Sequence, residues 1–449
     1  MPNSFCVVNL GCAKNAVDGE GLQQVLLSAG YVVAETADCA DVVVVNTCGF
    51  IQAATDESLA MLADLARRKR QGQLLVAAGC LAERLGPDLP RRVPAIDAVL
   101  GTRRWSEVAD LVAAAARGER PQYTGVGAPE PRLTRAATGA TAYLKIADGC
   151  SAGCAFCAIP AIKGPYRSRA EDMITAEAVD LAAQGVQELV LIAQDCTAYG
   201  RERGQGGSLV GLLKRLLAAV PDVPWLRLMY AYPSHVDDAL LTLMAGESRL
   251  LPYLDLPLQH AHPEVLRRMR RPAGDPRQLV ARIREAVPGI VLRSTFIVGY
   301  PGETEGEFAT LLRFLDEARL ERVGIFPYSA EEGTPAAALA DQVPDDVRQR
   351  RLDEAMRLQQ RISLDRNREQ VGKILDVLVE GRAELVEAER QKRGRNGRRR
   401  RRLVRGRSYR DAPEVDGLVF FEGNAVAGDM VQIRVTRALP YDLVGDLLP

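Results

Sequence analysis

The chain has 449 residues, 47% hydrophobic and 26% charged, which excludes wholesale disorder and a collagen-like repeat and, at roughly 100 to 200 residues per domain, predicts about three domains. No apolar run approaches the ~20 residues needed to cross a bilayer, and the start Met1-Pro2-Asn3-Ser4 lacks the pattern of an export signal, so a cytoplasmic protein without a membrane partner is expected. Lysine plus arginine total 58 and aspartate plus glutamate total 58, yet Arg390 to Arg410 holds 12 basic residues and no acidic one, leaving 46 basic against 58 acidic elsewhere, a net of −12.

Through about residue 120, short apolar runs alternate with helical patterns. Phe5 to Leu10, Asp41 to Val45 and Leu74 to Ala78 read as buried parallel strands, and Glu20 to Ala29 and Ser58 to Arg68 as amphipathic helices. This is the logic of a doubly wound α/β sheet. Gly118 to Thr141, rich in Gly, Pro and Thr, reads as a linker. Six candidate strands follow: Ala142 to Ile146, Glu188 to Ile192, Trp225 to Met229, Tyr253 to Leu256, Ile290 to Ile297 and Val323 to Phe326. Six βα units predict a partial or complete β/α barrel. A charged helix is expected from Asp345 to about Gln370. Short runs at Ile374 to Val379, Gly417 to Phe421 and Met430 to Val435 then predict a small all-β barrel. The expected division is an N-terminal α/β domain over 1–120, a linker over 121–140, a β/α barrel with C-terminal helices over 141–370 and a small β-barrel over 371–449. Arg393 to Arg402, with five consecutive arginines and no interleaved aromatics, reads as a solvated loop or as a phosphate-contacting one.

Nine cysteines in a chain without an export pattern point to metal or redox chemistry rather than disulfides. Cys150, Cys154 and Cys157 follow the first barrel strand directly. Three thiolates there suit three irons of a cubane cluster with the fourth left open, whereas structural zinc wants a fourth ligand that nothing nearby supplies. Cys12, Cys48 and Cys80 each end an apolar run, about one βα repeat apart, which places them together at the carboxyl edge of a parallel sheet. Cys6 and Cys39 read as inert packing, and Cys196 sits beside Asp195.

The Cys150 spacing, with Phe156 before the last cysteine, resembles the radical S-adenosylmethionine (SAM) superfamily. There SAM chelates the open iron and is cleaved to a 5′-deoxyadenosyl radical that abstracts hydrogen from an unactivated C–H bond. Two such cysteine sets and an all-β tail resemble the methylthiotransferase family, carried by Asn9-Leu-Gly-Cys12-Ala-Lys-Asn15, Val45-Asn-Thr-Cys48-Gly-Phe50 and Phe296-Ile-Val-Gly-Tyr-Pro-Gly-Glu303. The segments Leu191 to Asp195, Leu256 to His260 and Gly406 to Gly417 resemble the branch that modifies an aspartate of ribosomal protein uS12. Cys196 and the longer arginine-rich insertion depart from that pattern.

The resemblance implies two 4Fe-4S clusters, on Cys12, Cys48 and Cys80 and on Cys150, Cys154 and Cys157. It also implies a TRAM domain at the C-terminus, SAM as methyl and radical source, and an electron donor such as flavodoxin or ferredoxin. Phe156, Asp195, Gln259, Gly299 and Glu303 would line the SAM pocket, although an aspartate or arginine at a strand end is as often a structural ion pair; Arg227 and Tyr328 also fall at such ends. The partner would be uS12, with ribosomal RNA contact through the basic loop. Two rivals stand beside this reading: a tRNA adenosine methylthiotransferase, which the basic loop favours and the Gly406 to Gly417 segment disfavours, and a non-catalytic iron-sulfur RNA-binding protein.

Overall fold

A computed structural model describes residues 2–383 and 402–449, apart from 129, 133–134, 207 and 272–273. Of the arginine run, residues 393–401 lie outside the described residues.

The first sheet has six parallel strands in the order β2-β1-β3-β4-β5-β6. They are β1 (Ser4–Asn9), β2 (Val32–Val33), β3 (Val42–Thr47), β4 (Leu74–Gly79), β5 (Ala98–Gly101) and β6 (Gln122–Tyr123). β3 is buried at all six positions, because separate apolar clusters cover both faces of the sheet. Helix α1 (Ala13–Ser28) starts seven residues earlier than the apolar periodicity suggests, α2 (Gln52–Arg68) follows β3, and the short α3 (Cys80–Leu85) follows β4 directly. The segment expected as a linker contributes β6, and its Arg135 is buried between Glu20 and Glu177. Cys39 is exposed and Cys6 half-buried; Cys39 lies in a turn ahead of β3, so it does not pack as expected.

The second sheet is an open six-stranded parallel barrel, ordered β14-β13-β12-β11-β10-β7. In chain order its first strand, β7 (Thr141–Lys145), leads into a ribbon of β8 (Ala147–Asp148) and β9 (Arg167–Ser168). β10 (Glu188–Ile192), β11 (Trp225–Leu228), β12 (Leu250–Asp255), β13 (Val291–Val298) and β14 (Arg322–Pro327) complete the sheet. All six expected barrel strands are present, and β7 and β14 remain its edges. Inside, Val190, Ile192, Trp225, Met229 and Tyr253 form one apolar cluster with Ala13 and Val17 of α1 and with Leu378 and Ala412 from the C-terminal domain. The barrel core is therefore completed by the other two domains.

A helix over Asp345–Arg368 leads to a closed barrel ordered β15-β16-β17-β19-β18. Its strands are β15 (Ile374–Arg382), β16 (Arg402–Ser408), β17 (Val419–Gly423), β18 (Met430–Ala438) and β19 (Leu443–Leu447). β16 and β19 were not apparent in the sequence. No helix among the described residues is long and apolar enough to cross a membrane.

Candidate functional site

Cys12, Cys48 and Cys80 follow the ends of the adjacent strands β1, β3 and β4, as the spacing of their apolar runs requires. The chain turns sharply at Gly11, with φ +95°, and an added Cβ there would meet the Cys48 Cβ at 2.7 Å and its Sγ at 3.0 Å. Glycine is what allows the two thiols to approach. Asn15 in the first turn of α1 then ties the strand ends together, donating to the carbonyls of Leu10 (3.1 Å) and Thr47 (3.0 Å) and accepting from the Cys80 thiol at 3.5 Å. Burial pushes the Cys80 thiol up to about 12 and raises that of Cys48; Cys12 is exposed. It opens into a cavity of about 310 Å³ walled by Tyr143, Ile192, Met229 and Tyr230 of the barrel and by Pro413 to Val415 of the C-terminal domain.

Cys150, Cys154 and Cys157 lie on the loop after β8, all half-buried. The loop is held by backbone bonds from Cys150 to Gly164 (3.1 Å), from Ala155 to Met269 (3.0 Å) and from Ala336 to Ala155 (2.9 Å). Cys150 lines a pocket of about 620 Å³ with Tyr166, Asp195, Tyr232, His235 and Arg271. Arg271 stacks on the Tyr232 ring at 4.2 Å and directs Nη1 at the Cys154 Sγ, 3.7 Å away. Asp195 is buried, caps the turn at Ala198 (3.1 Å) and pairs with His235 Nδ1 at 2.9 Å.

The two sets of cysteines are neighbours. Cys80 packs against Ala158 and Ile162, directly after Cys157. Alongside runs a buried charge network: Lys163 binds Asp18 at 2.9 Å and Asp148 at 3.2 Å, and Lys145 binds the other oxygen of Asp18 at 2.6 Å. Asp148 in turn accepts from the Gly149 amide at 3.0 Å, one residue before Cys150.

Of the residues expected at the SAM pocket, the structure brings only Asp195 to the wall that Cys150 shares. Phe156 packs beside Tyr300 and Tyr328 in a small apolar cluster. Gln259 sits at φ +72° and bridges to Phe296 of β13, its buried Oε1 without a partner. Gly299, at φ +70°, backs onto Arg348, whose Cγ an added Cβ would approach to 2.2 Å. Glu303 accepts from the Tyr300 amide at 3.0 Å and faces Arg351 at 3.5 Å, and burial raises its carboxyl to about 7. Gly299 and Glu303 thus shape a turn packed on the Asp345–Arg368 helix, and neither they nor Gln259 line the cavity at Cys150. Arg227 is no pocket residue either: fully buried, it pairs with Glu188 at 2.7 Å. Sequence reasoning missed Arg271, Asn15 and Lys163, since their neighbours are distant in the chain; Asn15 alone stood within a recognised motif.

The donor set suits an iron-sulfur cluster. A thiol that burial holds near 12, as at Cys80 and Cys157, is protonated at neutral pH and a poor nucleophile; a bound metal centre is what makes it a thiolate. Among the described residues no three Cys, His, Asp or Glu side chains converge closely enough to hold a single ion. A cluster, in which each thiolate takes a different iron, does not require that convergence.

Comparison with known proteins matches residues 4–101 to the uncharacterized protein family UPF0004, 144–315 to the radical SAM superfamily and 371–448 to the TRAM domain. The chain is 47% identical to the ribosomal protein uS12 methylthiotransferase RimO of Roseiflexus castenholzii, over 98% of this chain and 95% of that protein. It is 46% identical to the protein of the same name from Chloroflexus aurantiacus, over 99% of each. Among solved structures, the radical S-adenosylmethionine methyltransferase TsrM of Kitasatospora setae with tryptophan and a SAM analog bound matches with a TM-score of 0.58 at 16% identity, over 81% of this chain and 89% of that one. Its form with cobalamin and a [4Fe-4S] cluster gives 0.57 at 17%, over 75% and 74%. At those identities the likeness is one of fold.

Proposed function

The chain belongs to the ribosomal protein uS12 methylthiotransferase family of radical SAM enzymes, and from that premise we propose how its residues divide the work of methylthiolating an aspartate of uS12 at the β-carbon. Cys150, Cys154 and Cys157 hold one 4Fe-4S cluster, and Cys12, Cys48 and Cys80 hold a second. SAM bound beside the first cluster would supply the hydrogen-abstracting radical that an unactivated C–H bond demands, and the second cluster would supply the sulfur. The 620 Å³ pocket receives SAM, with Asp195 oriented by His235, and Arg271 supplies a fixed positive charge beside Cys154. Phe156, Gln259, Gly299 and Glu303 would complete the SAM site that the family resemblance implies. The cavity at Cys12 takes the substrate side chain.

The observation that carries this reading is the meeting of the two cysteine sets, each at the carboxyl end of a parallel sheet, across the contact of Cys80 with Ala158 and Ile162. A cytoplasmic electron donor such as flavodoxin or ferredoxin reduces the first cluster, and the basic run before β16 contacts ribosomal RNA when uS12 is presented on the subunit. Digests of uS12 and of tRNA from a deletion strain test the assignment: loss of methylthio-aspartate with tRNA unchanged supports it. Loss of methylthio-adenosine instead overturns it in favour of tRNA.

A further inference from the structure

The end of β16 and the segment that follows it reach every strand of the central sheet. Arg407, at the end of β16, donates to Thr141 of β7 at 2.8 Å and pairs with Glu188 of β10 at 2.6 Å. The Tyr409 carbonyl accepts from Arg227 of β11 at 2.8 Å. Asp416 accepts from Tyr253 of β12 at 2.5 Å and lies 3.5 Å from Arg293 of β13, and Asp411 pairs with Arg322 of β14 at 2.6 Å. Two of the three acidic side chains in this segment are thus occupied by the barrel's own cations.

Glu414 is placed differently. It is exposed, stands at φ +67°, and forms part of the wall of the cavity into which Cys12 opens, across from Tyr143 and Tyr230. A left-handed backbone is unfavourable for glutamate and persists where the flanking chain imposes it. Here the anchors at Asp411 and Asp416 do so, and the carboxylate is held out as a rigid feature of the cavity. The opposite wall is aromatic and aliphatic, backed by the Lys14 ammonium 3.2 Å over the Tyr230 ring, and burial together with the charge and hydrogen bond of the Glu414 carboxylate pushes the Tyr143 phenol up. Lys14 puts a positive charge at the Cys12 side of the cavity, where an aspartate is welcome, whereas the Glu414 carboxylate on the other wall attracts a cation. The target carboxylate is itself an anion, so it is not the group that Glu414 receives; a basic neighbour of the target is.

We propose that Glu414 is a specificity-determining residue that receives a lysine or arginine next to the target aspartate. The proposal rests on the functional reading above and adds to it the chemistry of the residue flanking the target.

The test uses the reconstituted full-length protein and fluorescently labelled synthetic peptides that carry one aspartate beside lysine, alanine or glutamate. Binding is read by anisotropy, independently of turnover. The wild type is expected to bind the lysine peptide about fivefold more tightly than the alanine peptide, as a partly screened ion pair would give, with the preference fading as salt rises. Glu414→Gln removes the preference, and Glu414→Lys inverts it toward the glutamate peptide. Glu414→Gly relieves the backbone conformation without restoring charge, so it should behave as Glu414→Gln; recovery of the preference in Glu414→Gly would overturn the proposal, since strain rather than charge would then be responsible. An unchanged lysine preference in Glu414→Gln also overturns it, while continued modification of uS12 by that variant leaves the functional reading standing. A wild type that modifies tRNA and not uS12 fails the functional reading itself.

Discussion

Glu188 offers the sharpest test of how the three domains are held together. It is fully buried at the start of β10, between Arg227 of β11 and Arg407 of the C-terminal barrel, at 2.7 and 2.6 Å. Burial alone would raise its carboxyl, but the two guanidinium groups overcome that and hold it at about 2, below the ordinary 4.5. A folded value of about 2 against an unfolded value near 4.5 corresponds to roughly 3 kcal/mol of charge-dependent stability at neutral pH. Because the folded value is the lower one, that contribution is complete above the unfolded value and is lost as pH falls from about 4.5 toward about 2. Glu188→Gln leaves the buried Arg227 without a counter-ion and Arg407 with Glu380 alone, and should cost ~3 kcal/mol at pH 7. The chain's two tryptophans make the assay domain-resolved: Trp225 is buried in β11, two residues from Arg227, and Trp105 lies in the N-terminal domain. Urea unfolding followed by fluorescence should give a lower midpoint for the variant at pH 7 and a gap that narrows as pH falls through 4.5. A loss under about 1 kcal/mol, or a gap that stays constant with pH, would refute the clamp. Replacing Arg227, Glu188 and Arg407 together by apolar residues of similar volume should cost far less than Glu188→Gln alone.

Anaerobic reconstitution should give about eight irons per chain, falling by half when either cysteine triad is replaced by alanine; replacing Cys6 and Cys39 should change nothing, and a loss of iron there would disprove the ligand assignment. Replacing Cys150, Cys154 and Cys157 should abolish reductive SAM cleavage, whereas replacing Cys12, Cys48 and Cys80 should leave cleavage and remove sulfur insertion; equal loss of cleavage in both folded variants would end that division. Lys163→Met leaves Asp18 and Asp148 sharing Lys145 alone and should lower stability by roughly 3 kcal/mol, measured as a shift in the unfolding midpoint; no shift would mean the network carries no net energy. Deleting Gln391 to Arg402 should weaken binding to the ribosomal subunit and flatten its salt dependence, with free-peptide modification nearly unchanged; an untouched salt slope would leave the run a solvated insertion.

Much of the layout follows from local pattern. A strand's own apolar run and the direction of the chain determine which residue emerges at its carboxyl end, so Cys12, Cys48 and Cys80 were legible as a group before any contact was known. The six barrel strands were legible for the same reason, as short apolar runs that are buried throughout in β10 and β11 and at most positions in β12 and β13. The two-residue edges β2 and β6 carry too little sequence for any periodicity, and β16 and β19 are defined by their partners in a closed barrel rather than by apolar alternation.

By itself, then, the sequence determined the order of the three folds and the grouping of the six cysteines into two sets, because both follow from short-range spacing along the chain. Only the tertiary structure decided what surrounds those cysteines. Lys163 meets Asp18 across 145 positions and Arg407 meets Glu188 across 219, and nothing in either residue's neighbourhood encodes its partner. Glu303 and Gly299 stand in a motif that reads as a pocket, yet they pack against Arg351 and Arg348 of a later helix. Glu414 reads as one more surface acid until Asp411 and Asp416 are seen bound to the barrel, holding it at the cavity beside Cys12. Burial and charge pairing are properties of the assembled domains, and at this site most of the electrostatics arises where those domains meet.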